Sequence, residues 1–173
     1  DFDEMLKNPE IDVVSICLPS AMHAEFAVRV MEAGKHVLVE KPIDITVDAA
    51  MKIEEARVRT GKIAGVIHQN RNNAVMKPIK QALDSGRLGK LILGTFAVKW
   101  YRDQHYYEGW HGTWDMDGGG SLMNQAVHTV DLMQWLMGDV ESVHSTMGIY
   151  DHDIETEDLT ASIVKFKSGA TAT

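Results

Sequence analysis

The first 71 residues alternate between short apolar runs and longer segments in which apolar side chains recur at helical spacing. The apolar runs predict three buried strands, at Val13–Leu18, His36–Lys41 and Lys62–His68. Helical periodicity fills the intervals between them, and Gly34 and Gly61 follow the two predicted helices, as C-terminal glycines often do. Strands and helices that alternate with short links predict right-handed crossovers and a parallel sheet.

The pattern changes after residue 71, where strands become longer and no longer alternate with helices. The predicted elements are helices Asn72–Ser85 and Ser121–Met137 and strands Leu91–Arg102, Ser142–Tyr150 and Leu159–Phe166. Long, hairpin-linked strands with a helix packed on them predict an α+β domain with a mainly antiparallel sheet. We therefore expect two domains, a parallel α/β domain over residues 1–71 and the α+β domain over residues 72–173.

Polar residues follow all three predicted strands of the first domain, at Pro19-Ser20, Glu40-Lys41-Pro42 and Gln69-Asn70-Arg71. Open parallel sheets bind ligands outside the carboxyl ends of their strands, so these residues form a candidate site. A strand that simply ends in solvent explains Glu40-Lys41-Pro42 equally well when that segment is taken alone. Polar residues after three strands at one edge of the sheet favour a ligand site over that simpler explanation. Ser20 is also a candidate N-cap for the helix after it.

The predicted helix Ser121–Met137 carries a second candidate site. Residues at i, i+4, i+7 and i+11 would line one face of it, namely Asn124, His128, Asp131 and Trp135. A histidine in this row indicates a substrate or a partner, or a purely structural pair of His128 with Asp131. The glycines of Gly118–Gly120 allow another backbone or a ligand to approach closely.

Lys41 and His128 make a plausible pair for moving protons. Oxidising an alcohol requires a group that takes the hydroxyl proton, and lysine and histidine serve when burial or neighbouring charge tunes them towards neutrality. The hydride must go to a cofactor, because no side chain accepts it.

Composition narrows the class of protein. The chain is 45% hydrophobic and 24% charged, with a net charge of −8, so we expect neither a nucleic-acid nor a membrane-surface partner. The single cysteine, Cys17, lies in an apolar run; we expect an inert core thiol and a reducing cytoplasm. No two histidines have a tight ligand spacing on one predicted element, so a metal-binding module is disfavoured and no metal is expected.

Three segments together resemble the Gfo/Idh/MocA oxidoreductases, which are NAD(P)-dependent enzymes that act mostly on sugars, inositols and their derivatives. They are Asp12–Ser20, Ala33–Pro42 with its Gly-Lys-His-Val-Leu-Val-Glu-Lys-Pro motif, and Gly118–Asp131 with Gly-Gly-Gly followed by His and Asp. The resemblance implies that the first domain is the C-terminal part of a Rossmann-type sheet. It also implies that NAD or NADP is the cofactor.

The resemblance also implies roles for individual residues. Lys41 would be the catalytic or substrate-orienting lysine, Pro42 a cis proline beside the nicotinamide, and His128 the proton-transfer histidine. The other implied dinucleotide contacts are Leu18, Pro19, Ser20, His23, Glu40, Asn70 and Arg71. The implied substrate contacts are Asn124, Lys41, and Trp110 and Trp114 of a loop that closes over cofactor and substrate.

The sequence departs from the family pattern in three places. Asn124 stands where many sugar and inositol dehydrogenases carry Asp, and because an amide cannot take a proton we expect Asn124 to orient the substrate or His128. His111 replaces an arginine that is common in the loop Trp110–Trp114. The glycine-rich G-x-G-x-x-G turn is expected before residue 1, and the last part of the second sheet is expected after Thr173.

We therefore expect a dehydrogenase of a sugar, inositol or related polyol that forms a homo-oligomer through its second-domain sheet. One alternative keeps the fold but uses a tightly held NAD(H) for transient oxidation, as in glycosidases or aldose–aldose oxidoreductases of the family. Another is a catalytically inert relative that binds or regulates.

Overall fold

The computed structural model describes residues 1–173, which form two compact units. Unit 1 comprises residues 1–67 and 109–119, and unit 2 comprises residues 68–108 and 120–173. Unit 1 therefore includes a segment, Gly109–Gly119, from the part of the sequence that we assigned to the second domain. None of the helices combines the length and apolar character needed to cross a membrane.

Unit 1 is a three-stranded parallel sheet with helices. Its elements are α1 (Phe2–Lys7), β1 (Val13–Ile16), α2 (His23–Glu32), β2 (His36–Val39), α3 (Val47–Thr60) and β3 (Ala64–Val66). The strand order is β1-β2-β3, and Val37 of β2 lies opposite Val14 on one side and Ala64 on the other. The predicted parallel sheet is confirmed, although β3 is shorter than expected.

Helices α2 and α3 pack on one face of this sheet, and the strands alternate accordingly. Val14 and Val37 are buried with Val30 and Ile53 of the helices, whereas Val13 is 57% exposed. The first strand, which we predicted to be buried, is therefore buried on one face only. The prediction that the Cys17 thiol lies in the core is wrong, because Cys17 comes directly after β1 and is exposed.

The start of α2 is capped from a distance. Ser20 opens a short 3-10 turn and is not the N-cap that we expected, since no side chain of this turn caps α2. The carboxylate of Asp44, 20 residues further along the chain, accepts a 2.8 Å hydrogen bond from the Ala24 N–H. Asp44 is 5% exposed. Helix α3 is capped locally, because the Thr46 hydroxyl accepts from the Ala49 N–H at 3.1 Å.

Unit 2 is a four-stranded mixed sheet with helices. Its elements are α4 (Met76–Asp84), β4 (Leu93–Gly94), α5 (Val127–Met137), β5 (Val140–Gly148), β6 (Leu159–Phe166) and β7 (Thr171–Ala172). The order is β4-β7-β6-β5, with only the β4–β7 pair parallel, so the mainly antiparallel sheet is confirmed. Its core joins Met133 and Met137 of α5 to Val164 and Phe166 of β6.

Two predicted elements of unit 2 differ from the structure. Of the predicted strand Leu91–Arg102, the structure pairs Leu93–Gly94 with β7, and the Phe96 N–H donates to the Thr173 carbonyl oxygen at 2.8 Å. The predicted helix Ser121–Met137 begins as a π-helical turn, Ser121–Ala126, before α5. Asn124 lies in this π turn and His128 in the first turn of α5, so the predicted i, i+4 spacing between them spans two types of helix.

Phe166 gives a test of the core of unit 2. It is fully buried, so we expect Phe166→Ala to lower the free energy of unfolding by about 3–5 kcal/mol, through lost burial and a cavity. Ile163 lies on the same strand but is 56% exposed, and Ile163→Ala should cost about 0.5 kcal/mol or less. Urea unfolding followed by circular dichroism measures both; equal losses would contradict the described core.

Candidate functional site

His23 joins the two segments that follow β1 and β2. Its Nε2 lies 2.8 Å from the carbonyl oxygen of Leu18 and its Nδ1 lies 2.7 Å from that of Pro42. The side chain is 1% exposed, so these contacts are shielded from water. We expected His23 to lie along a dinucleotide. In the structure both ring nitrogens contact backbone carbonyls, and His23 holds the two strand exits side by side.

Lys41 lies at the exit of β2 and is half-buried. The Lys41–Pro42 peptide bond is cis, as the resemblance implies. Burial lowers the pKa of the Lys41 amine, while the carboxylates of Glu40 and Asp117 raise it and offset part of that effect. A lysine with a lowered pKa is better able to accept and return a proton near neutral pH.

Asp117 is a residue of this site that sequence reasoning missed. It is 1% exposed, and its Oδ2 accepts a 2.9 Å hydrogen bond from the Gly112 N–H. The segment Gly109–Gly119 is also held by a 3.1 Å bond from the Ala21 N–H to the Met116 carbonyl. The available signal was an acidic residue directly before a glycine run, which by itself predicts only a turn.

The two predicted tryptophans lie in this same segment, in unit 1 with Lys41. The Trp110 ring stacks on the His111 ring with centroids 4.1 Å apart, and Trp114 is 50% exposed. Unit 1 thus brings together the lysine, the buried Asp117 carboxylate and an aromatic loop. Contact of the tryptophans with substrate stays a prediction.

Asn124 and His128 belong to unit 2. The Tyr106 hydroxyl donates a 3.1 Å hydrogen bond to Oδ1 of Asn124, which fixes the orientation of the amide. Tyr106 was not predicted, because a loop aromatic leaves no periodic signal in the sequence. His128 is half-buried on the first turn of α5.

Asp131 pairs with Arg71 in a two-bond fork. The Arg71 Nε donates to Oδ2 of Asp131 at 2.8 Å, and a second guanidinium nitrogen donates to Oδ1. These hydrogen bonds raise the pKa of Arg71. His68 Nδ1 lies 3.6 Å from Asp131, beyond hydrogen-bond distance. Arg71 was expected at the cofactor; the structure shows it tied to α5, and a cofactor contact by Arg71 or its neighbour Asn70 stays a prediction.

A buried ion pair holds the loop that carries Tyr106. His152 Nδ1 lies 2.9 Å from Oδ2 of Asp158, and its Nε2 lies 2.7 Å from the Arg102 carbonyl oxygen. The side chains of His152 and Asp158 are 10% and 5% exposed. Hydrogen bonding to Asp158 and to the Arg102 carbonyl raises the pKa of His152. Burial raises the pKa of Asp158, but hydrogen bonds from His152 and from backbone N–H groups outweigh it and lower that pKa.

The residues at the exits of β1 and β2 fit the nicotinamide end of a dinucleotide. The parallel sheet brings the strand exits to one edge, where such ligands bind, and the Lys41 amine lies there with a lowered pKa. No G-x-G-x-x-G turn occurs within residues 1–173, so these residues do not supply that pyrophosphate cradle. Across the structure, no three His, Cys, Asp or Glu side chains come together as metal ligands would.

Both parts of the chain match known families. Residues 1–68 match "Oxidoreductase family, NAD-binding Rossmann fold", and residues 76–173 match "GFO/IDH/MocA C-terminal domain". The chain belongs to the Gfo/Idh/MocA family. The resemblance inferred from the motifs, and the Rossmann-type assignment of the first domain, are therefore confirmed.

Individual relatives are similar over nearly the whole chain. The 1-carboxy-3-chloro-3,4-dihydroxycyclohexa-1,5-diene dehydrogenase of Comamonas testosteroni is 33% identical over 99% of this chain and 43% of its own length. The 1,5-anhydro-D-fructose reductase of Ensifer adhaerens is 28% identical over 98% of this chain and 51% of its own length. The chain spans about half the length of the curated relatives it matches.

A solved structure extends the comparison to the fold. The WlbA dehydrogenase of Bordetella pertussis, in complex with NADH and UDP-GlcNAcA, superposes with a TM-score of 0.95. It is 36% identical over 99% of this chain and 50% of the WlbA chain.

The His152–Asp158 pair predicts a pH dependence of stability. The raised pKa of His152 adds stability at pH values below its unfolded pKa of about 6.5, which is lost as pH rises through the folded pKa. The lowered pKa of Asp158 adds stability above its unfolded pKa of about 3.9, which is lost as pH falls through the folded value. The pair therefore stabilises the fold most between these two limits.

We expect the difference in unfolding free energy between wild type and His152→Asn to be largest near pH 5–6 and to shrink towards pH 9. Urea unfolding across this range measures the difference. His105→Asn is the matched control, because His105 and its partner Glu108 are 84% and 70% exposed and such pairs contribute little. A wild-type advantage that does not change with pH would contradict the ion pair.

Proposed function

We propose that this chain supplies the proton-handling residues of an NAD(P)-dependent dehydrogenase. The reaction moves a hydride between the nicotinamide and a hydroxyl-bearing carbon of a sugar, polyol or related compound. The observation that carries this proposal is the half-buried Lys41 at a strand exit, with a pKa lowered by burial and carboxylates of Glu40 and Asp117 close enough to act on it. Membership of an NAD-binding oxidoreductase family supports it.

Lys41 and His128 share the proton chemistry in this proposal. The nicotinamide, when bound, takes the hydride that no side chain can accept. One of the two side chains takes the hydroxyl proton of the substrate, and the other orients that hydroxyl by a hydrogen bond. Asn124, whose amide oxygen is held by Tyr106, cannot take a proton and positions the substrate.

We further propose that the substrate carries a negative charge. The Comamonas relative is named for a compound with one carboxyl and two hydroxyl groups, and the WlbA structure contains UDP-GlcNAcA. A neutral amide at position 124 adds no negative charge that would repel such a substrate. Turnover of uronic acids or nucleotide-linked sugar acids, compared with the matching neutral sugars, tests this; equal kcat/KM for both classes would contradict it.

Lys41 and His128 give the direct test of the reaction. We expect Lys41→Ala and His128→Ala each to lower kcat by about 10²–10⁴, the usual contribution of a general acid or base. Steady-state formation of NADH or NADPH in the full-length protein measures this. Lys52→Ala removes an exposed lysine of α3 and should leave kcat unchanged.

Two results would contradict the proposal. Near-normal kcat in either variant would remove that residue from the proton chemistry. Product formed without net reduction of the dinucleotide would replace net dehydrogenation by transient oxidation with a retained cofactor. Binding of NADH, followed by its fluorescence, separates loss of chemistry from loss of cofactor in each variant.

A further inference from the structure

Glu157 binds the start of the turn that carries Asn124. Its Oε2 accepts from the Gly120 N–H at 2.9 Å, and its Oε1 accepts from the Leu122 N–H at 2.8 Å. The backbone carbonyl of Glu157 accepts from the Ser121 N–H, also at 2.8 Å. Three successive N–H groups therefore bind one residue, which lies in another part of the sequence, just before β6.

Elementary helix chemistry explains why an acid is suited to this place. The first N–H groups of a helical segment have no partner within it, and they carry a partial positive charge that a carboxylate stabilises. The residue before the turn, Gly120, has no side chain with which to cap it. Glu157 does so instead, and it is 6% exposed, so water does not compete strongly for these bonds.

Gly120 allows this close approach. A Cβ atom at position 120 would lie 1.8 Å from the carbonyl oxygen of Glu157, far inside van der Waals contact. The two backbones can therefore meet only if residue 120 is glycine. The glycine run before the helix is explained, at this position, by packing against Glu157.

Asp158, the residue after Glu157, acts on the side chain of Asn124 through a series of contacts. Asp158 binds His152, whose ring contacts the Arg102 carbonyl, and the loop that follows brings the Tyr106 hydroxyl to Asn124. Glu157 thus fixes the main chain of the Asn124 turn, and Asp158 helps to fix the group that binds its side chain.

We infer that Glu157 is a positioning residue for Asn124 and, through the start of α5, for His128. This inference rests on the proposed dehydrogenase function. Glu157 acts on the backbone of the turn, and small displacements of positioned groups cost reaction rate: a shift of about 1 Å can lower kcat by up to about 10²-fold.

Glu157→Gln tests the inference with almost no change in volume. The amide keeps one oxygen acceptor but places an NH2 group against an N–H donor, so one of the two bonds is lost. We expect kcat of the full-length enzyme to fall by about 10- to 10²-fold with an unchanged KM for the dinucleotide, because the strand exits of unit 1 are untouched. Glu141→Gln makes the same charge change at an exposed site on β5 and should leave kcat unchanged.

Hydrogen exchange measured by mass spectrometry gives a readout that does not depend on activity. In Glu157→Gln, exchange should increase in peptides covering residues 118–128 and stay unchanged in the core of β6. If the variant does not fold, Leu122→Pro serves instead. Proline at this position removes the N–H group that donates to Oε1 of Glu157, and the first turn of a helix tolerates proline. The variant should therefore show the same local change.

The results distinguish the positioning role of Glu157 from the proposed dehydrogenase function. Normal kcat in Glu157→Gln, in an otherwise active enzyme, overturns the positioning role. Increased exchange throughout unit 2 also overturns it, since Glu157 would then serve general stability. If the wild-type enzyme turns over no substrate, the proposed function fails, and faster exchange confined to residues 118–128 still supports the contact that positions the turn.

Discussion

Strand exits leave backbone carbonyl groups without partners in the sheet, and in unit 1 the imidazole of His23 contacts two such groups at once. Buried backbone groups without a partner cost free energy, so a side chain that reaches Leu18 and Pro42 together stabilises both segments in one arrangement. Lys41 directly precedes Pro42, so its backbone is held by the same contact. The backbone position of Lys41 therefore depends on the contacts of His23.

The charge environment of Lys41 follows from a balance of two opposing effects. Burial alone favours the neutral amine, and the carboxylates of Glu40 and Asp117 favour the ammonium. The net lowering of the pKa leaves an amine that can exchange a proton while two acids remain close to it. Because Asp117 lies in the segment Gly109–Gly119, the position of that loop affects the pKa of a lysine far from it in sequence.

Periodic patterns in the sequence were sufficient to predict most helices and the parallel sheet, because the spacing of apolar residues indicates which face of an element is buried. They failed where a contact joins distant residues. The carboxylates of Asp44 and Glu157 bind backbone N–H groups in other segments, and such bonds leave no repeat in the sequence. The π turn Ser121–Ala126 was also missed, since its apolar residues read equally well as α-helix.

The site residues were accessible from the sequence mainly through family motifs. Physical reasoning from the residues selected Lys41 and His128 as candidates for proton transfer, which stay a prediction, whereas Tyr106 became visible only through its bond to Asn124.

Cys17 is the single cysteine among these 173 residues, and it is exposed directly after β1. A thiol-reactive dye would attach within this chain at one position, beside the segment Leu18–Ser20 at the strand exit. Its emission would respond to changes in the local polarity there, so the chain carries its own attachment point for a fluorescent reporter of ligand binding.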